Sequence, residues 1–293
     1  MAILLRTPLS IAVAVILGLF MALPSPGQTS RKADNTADPI GYLDGDYPQM
    51  PAAVMNAELT RADGTKFRLR DLRGKVVLLN LWGIWCGPCR YQVPTFIELQ
   101  KKYGAQRFEV VGINIGNSDG DPEALLAIKK YGAKFHINYQ LVRPPDKTVI
   151  RAFFAVSKYE VVPQAVLIGI DGTIRGIFIG AGNKVDTLMI EGTKLAIADY
   201  ETLSILQGST SDAAGAAIPN VLITARSADG KKFETHSDGD GEYVIALPSA
   251  VYSITFTRQP FDTLVIPKYL VGDHAKMTLD FNLTCDHCEV VND

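Results

Sequence analysis

Val76-Val77-Leu78-Leu79-Asn80-Leu81-Trp82-Gly83-Ile84-Trp85-Cys86-Gly87-Pro88-Cys89-Arg90 is the stretch that decides the fold. Its opening is an almost unbroken apolar run, the pattern of a strand buried on both faces. Residues 91–103 read as a helix, so both cysteines fall where a strand turns into a helix. Unpaired N–H groups and the positive end of that helix favour a thiolate at Cys86. Disulfide exchange needs one attacking thiolate and a second thiol near enough to resolve the mixed disulfide. The spacing puts both sulfurs on one turn. Cys86, exposed at the helix start, is the expected nucleophile, and Cys89, one turn in and more buried, the resolving thiol. Pro88 suits the first turn, where its missing N–H costs little. Trp85, Gly87 and Pro88 are the expected substrate-contacting residues, with Trp85 an apolar platform for a polypeptide. The competing readings are a zinc half-site, which wants a second pair close in the fold, and an inert local disulfide.

Outward from this stretch, apolar runs alternate with helical segments. A hairpin turn is expected at Asp63-Gly64, a second buried strand over 108–115, and a helix opening at Asp121-Pro122. Another helix is expected over 147–155, strands at 165–170 and 173–180, and a closing helix over 185–198. Pro94 predicts a bend in the helix after Cys89. The pattern is that of an α/β domain with a central mixed sheet flanked by helices, placed at residues 51–199. Residues 200–217, rich in Ser, Gly and Ala, read as a linker. Short alternating strands then predict an all-β sandwich over 218–284.

The 293 residues suffice for two domains. Lys and Arg total 29 against 31 Asp and Glu, with no basic cluster interleaved with aromatics, which excludes nucleic acid as a partner. Arg6 precedes an apolar run over 9–23, shorter than the ~20 residues of a membrane span. Residues 1–27 fit a secretory signal peptide, the rival being an uncleaved N-terminal anchor. Either places the working chain outside the cytoplasm, in a periplasm, with 28–50 as a spacer. Four cysteines in two C-x-x-C pairs suit such an oxidising compartment.

Trp85-Cys86-Gly87-Pro88-Cys89-Arg90 resembles the thioredoxin superfamily motif. Asp71-Leu72-Arg73-Gly74-Lys75-Val76-Val77-Leu78-Leu79-Asn80-Leu81-Trp82 and Val110-Val111-Gly112-Ile113-Asn114 look like its TlpA/ResA-like branch. The resemblance implies a thioredoxin fold, thiol–disulfide oxidoreductase activity without a cofactor, and protein thiols and disulfides as partners. It also implies a cis Val162-Pro163 bond beside the cysteines, with the Val162 backbone holding an incoming peptide. The Gly87-Pro88 dipeptide resembles that of reducing thioredoxins and points to a reductase fed by a membrane electron donor. The alternative is a thioredoxin-fold binding module whose disulfide is structural. Asn80 and Gln92 stand where the superfamily or this branch often has a carboxylate, so proton transfer at Cys89 lacks the usual helpers.

Ile218-Pro219-Asn220-Val221-Leu222-Ile223, Thr235-His236-Ser237-Asp238-Gly239-Asp240-Gly241-Glu242-Tyr243 and Leu247-Pro248-Ser249-Ala250-Val251-Tyr252 resemble the carboxypeptidase regulatory-like domain. That implies a transthyretin-like sandwich acting as a spacer or binding module for a protein or glycan. Asp238, Asp240 and Glu242 read as a turn, since they lack the ligand series of a calcium loop. No metal site is expected. The tail over 285–293 carries Cys285-Asp286-His287-Cys288, open to a local disulfide, a second redox pair or metal capture.

Overall fold

The computed structural model describes residues 41–42, 48–116 and 125–284. The expectations for residues 1–27, for Asp121-Pro122 and for Cys285 and Cys288 lie outside these residues. The described chain opens with β1 (Gly41–Tyr42) and α1 (Ala52–Met55). β2 (Glu58–Arg61) and β3 (Lys66–Arg68) form the hairpin around Gly64, and a 3-10 turn, Leu69–Leu72, leads into β4 (Val76–Trp82). There follow α2 (Gly87–Arg107), β5 (Phe108–Asn114), α3 (Leu125–Lys134), β6 (Gln140–Arg143), α4 (Lys147–Ser157), β7 (Gln164–Ile168), β8 (Ile174–Ile179) and α5 (Asn183–Thr202). The strands make one mixed sheet, β1-β8-β7-β4-β5-β6-β2-β3, in which β4, β5 and β6 run parallel and β7 returns antiparallel beside β4.

Every residue of β4 and β5 is buried because both faces of the sheet are covered. The strand period of two sorts them. Val77, Leu79 and Leu81 pack with Val111, Ile113 and Phe153 on one face. Val76 and Leu78 pack with Phe96, Leu99 and Met189 on the other. Each such side chain contributes on the order of 2 kcal/mol through burial. Backbone dihedrals stay helical through Pro94, and the interruption within α2 falls at Gly104, with φ 67°. Pro94 lies on the exposed side, where the carbonyl it leaves without a donor can meet water. No helix among the described residues is long and apolar enough to cross a membrane.

The second unit is a sandwich of β9 (Ser204–Ser211), β10 (Leu222–Ser227), β11 (Lys232–His236), β12 (Glu242–Leu247), β13 (Ala250–Thr257), β14 (Leu264–Val271), β15 (Lys276–Thr278) and β16 (Phe281–Asn282). One sheet runs β11-β10-β13-β14; in the other, β9 lies between β12 and β15 and also pairs with β16. Their inner faces share a core of Leu206, Ile223, Tyr243, Ile254 and Phe256.

The linker expected over 200–217 is corrected here. α5 continues to Thr202 and β9 begins two residues later as an inner strand. Its small polar and Gly residues have structural duties. The Thr210 hydroxyl donates to the Ile218 carbonyl at 2.7 Å, and a Cβ at Gly208 would lie 1.9 Å from the Leu279 carbonyl oxygen. β14 also escaped the sequence reading. Its Pro267 argues against a strand, yet β14 is an edge strand, where a missing donor is tolerated.

β9 and β12 are buried on both sides. Leu206, Tyr243 and Ile245 face the sandwich core, while Ile205 and Val244 join Val76 and Phe108 in the α/β core. Arg70 pairs with Asp240 and Glu242, and Arg73 pairs with Asp238 at 3.6 Å. Apolar burial of about 2 kcal/mol per side chain outweighs the 0–1 kcal/mol typical of a surface ion pair such as Arg70–Asp240. The apolar contacts therefore hold the dock, and the arginines fix its register. The docked residues gather at the starts of β4 and β5, about 20 Å from the end of β4 that leads to the cysteines.

Candidate active site

β4 delivers the chain to the cysteines and α2 receives it. Cys86 is the N-cap of α2, in extended backbone, with Pro88 in the first turn. Cys86 and Cys89 form a disulfide with Cα atoms 5.3 Å apart. The Cys89 N–H donates to the Cys86 sulfur at 3.1 Å. One helix-terminal donor that would otherwise be orphaned is thus spent on the first cysteine.

The expectation that Cys86 is exposed is corrected. It is 3% exposed, because Trp82, Ile128, Tyr131 and Leu141 close around the pair. Exposure passes to its neighbours. Trp85 is 50% exposed, and its indole N–H is anchored on the Gly116 carbonyl at 2.7 Å. Pro88 is exposed and Gly87 half-buried. Gly87 also lines a groove of about 560 Å³ along α2, walled by Arg90, Tyr91, Pro94 and Phe135. The Arg90 guanidinium sits 5.8 Å from the Phe135 ring centroid.

Val162-Pro163 is cis. Pro163 is buried, and Val162 packs against the cluster that holds both cysteines. The Val162 N–H and C=O make no hydrogen bond among the described residues. The fold thus brings Trp85, Cys86, Gly87, Pro88, Cys89, Val162 and Pro163 to one end of the sheet. Cys285 and Cys288 are not described.

The two departures at carboxylate positions both lie behind the pair. Asn80 is buried in β4, on the face that carries Val76 and Leu78, and its Oδ1 has no partner. Gln92, one turn past Cys89 and 1% exposed, donates from Nε2 to the Gly180 carbonyl at 3.0 Å and approaches Asp186 Oδ1 at 3.4 Å. Both neighbours are acceptors, which settles the orientation of the amide. A glutamate at 92 would bring its carboxylate against the Gly180 carbonyl and Asp186, so the departure fits this chain's own surroundings. Sequence reading missed Gln164, Gly180 and Asp186. The signal for Gln164 was a polar residue opening an apolar strand directly after Pro163.

Residues 51–177 match the AhpC/TSA family, and residues 205–284 the carboxypeptidase regulatory-like domain. The chain is 29% identical over 173 residues to the thiol-disulfide oxidoreductase ResA of Geobacillus kaustophilus, covering 59% of this chain and 88% of that protein. It is 31% identical over 128 residues to ResA of Geobacillus thermodenitrificans, covering 44% and 68%. It is 34% identical over 128 residues to the thioredoxin-like protein YneN of Bacillus subtilis, covering 43% and 69%. A solved thiol:disulfide interchange protein of the thioredoxin family from Chlorobium tepidum aligns at 25% identity and a TM-score of 0.42, over 52% of this chain and 99% of that one. With its bonded Cys86–Cys89 pair at the start of α2, this chain belongs to the ResA-like thiol-disulfide oxidoreductases and carries a carboxypeptidase regulatory-like domain behind its redox domain.

Proposed function

We propose that the chain is exported and reduces disulfides of polypeptide substrates through Cys86 and Cys89. The observation that carries this reading is Cys86 at the N-cap of α2, its sulfur accepting the Cys89 N–H at 3.1 Å. In the dithiol form the same N–H stabilises a Cys86 thiolate. That thiolate attacks one sulfur of a substrate disulfide. The substrate S–S bond breaks, a mixed disulfide forms, and the first substrate sulfur leaves as a thiolate. Cys89 then gives up its proton to water, since Asn80 and Gln92 cannot accept it, and attacks the Cys86 sulfur. The second substrate thiolate leaves. The substrate has gained two electrons and, from solvent, two protons, while the enzyme holds its disulfide. A membrane-bound dithiol donor returns it to the reduced state.

The unpaired Val162 backbone suits an extended substrate strand, and exposed Trp85 and the Gly87 groove suit its side chains. Residues 9–23 support export, and Gly87-Pro88 supports the reducing direction. The sandwich acts as a fixed support. Its α/β-facing sheet is occupied, which leaves the β11-β10-β13-β14 sheet, with exposed Val251, Val265 and Leu270, for a protein or glycan partner.

Burial of both sulfurs favours a second reading, a structural disulfide in a binding module. A Cys89→Ser variant separates the two. The exchanging enzyme accumulates mixed disulfides through Cys86, and the wild type reduces insulin. A reduction potential below about −300 mV with no insulin reduction would establish the structural bond instead.

A further inference from the structure

Two buried glutamines converge on the segment that ends in the cis bond. Gln164 folds back, and its Nε2 donates to the carbonyls of Tyr159 and Val161 at 3.0 and 3.1 Å. From the other side, the Pro163 carbonyl accepts the Gly180 N–H at 2.9 Å, and the Gly180 carbonyl accepts Gln92 Nε2 at 3.0 Å. Gln92 stands one turn past Cys89 on α2, so these bonds tie the cysteine helix to the Val162 segment. Both glutamines are 1% exposed, and the Oε1 of each is buried with no partner. An orphaned buried acceptor lowers stability, and an apolar side chain of similar shape would avoid that loss. What each amide supplies in return is donors: those of Gln164 go to the carbonyls just before Val162, and that of Gln92 goes to Gly180, whose N–H holds the Pro163 carbonyl.

We propose that Gln92 and Gln164 are positioning residues for polypeptide disulfides. They hold the Val162 backbone in register with Cys86, so that a substrate strand bonded to Val162 presents its disulfide to the sulfur. A small disulfide without a backbone strand makes no use of Val162 and is indifferent to them. This inference rests on the reading of Cys86 and Cys89 as the exchanging pair.

The test compares insulin with dithiobis(nitrobenzoate), using the full reduced chain and the variants Gln92→Met and Gln164→Met. Each variant is expected to raise KM for insulin about tenfold with kcat little changed, the pattern of lost substrate binding. The rate with dithiobis(nitrobenzoate) and the reduction potential stay at wild-type values. Equal losses on both disulfides, or wild-type kinetics on insulin, overturn the positioning role while leaving the cysteine pair's role intact. A wild type inert towards both disulfides overturns the exchange reading and this inference together. Should Gln92→Met fail to fold, Gln164→Met decides the question from the other side of the segment.

Discussion

In the β-sandwich, the hydroxyls of the buried residues Thr210, Ser237, Tyr243 and Tyr252 each donate to a backbone carbonyl, at 2.7, 2.9, 2.6 and 2.9 Å. In the α/β domain, the side-chain oxygens of Asn80, Gln92, Gln164 and Thr193 are buried without a partner. The first pattern is that of a scaffold, in which each polar group reinforces the packing. Three of the second set, Asn80 on β4, Gln92 on α2 and Gln164 directly after Pro163, lie on elements that lead to the cysteines or the Val162 segment, while Thr193 on α5 and Asn56 after α1 lie elsewhere. Buried polarity thus differs between the sandwich and the α/β domain. Asp238 in the sandwich also has an oxygen without a hydrogen bond, and it faces Arg73 across the dock.

The largest expected effect comes from breaking the scaffold. Gly208→Ala drives a Cβ into the Leu279 carbonyl oxygen and the Tyr243 ring. A loss of about 4 kcal/mol or more should appear in urea unfolding. A variant as stable as wild type would show that the β9–β15 region yields easily and is no scaffold.

Next comes the join between the two domains. Arg73 and Asp238 keep 16% and 11% of their side chains exposed, and burial pulls the Arg73 guanidinium below its ordinary range while Asp238 opposes that pull. Arg73→Met leaves Asp238 largely buried without its cation and should cost about 3 kcal/mol. The double variant with Asp238→Asn should recover most of it. Arg70 pairs with the half-exposed Asp240 and Glu242, so Arg70→Ala should cost less than Arg73→Met. An unfolding midpoint for Arg73→Met equal to that of Arg70→Ala would remove the distinction.

The smallest effect sharpens the contrast itself. Tyr243→Phe takes a hydroxyl from the Leu279 carbonyl and should cost about 1 kcal/mol. Burial raises the Tyr243 phenol pKa, so the group stays a neutral donor. Asn80→Leu removes an unpartnered oxygen at nearly constant shape and should leave stability unchanged or raised. Thermal melts of the pair check this, and equal losses would erase the difference between the two domains.

Much of the site was legible because its signals are local. A strand buried on both faces, a turn and a helix start are written in consecutive residues, and they place Cys86, Cys89, Trp85 and Pro88 together. Val162-Pro163 could be assigned only through resemblance, and the structure holds it beside the pair. β12 was read as one of the alternating strands, although its nearly unbroken run Tyr243-Val244-Ile245-Ala246-Leu247 exceeds one-faced alternation and fits the two-sided burial the structure shows. β9 was not legible. Its serines and single glycine have the composition of a linker, and only the approach of Leu279 and the pairing with β12 explain them.

By itself, then, the sequence determined the order of the two domains, the Cys86/Cys89 pair and the chemistry open to it, since these depend on spacing and period along the chain. The tertiary structure decided what depends on elements distant in sequence. It closed Trp82, Tyr131 and Leu141 over Cys86, where spacing alone had left the sulfur exposed. It set Gln92 against Gly180 and Asp186, about ninety residues away, and turned a missing carboxylate into a tie on the Val162 segment. It seated the sandwich on Arg70 and Arg73, at the opposite end of β4 from the cysteines. No local pattern encodes such meetings, because each requires two surfaces that become neighbours only once the sheet has formed.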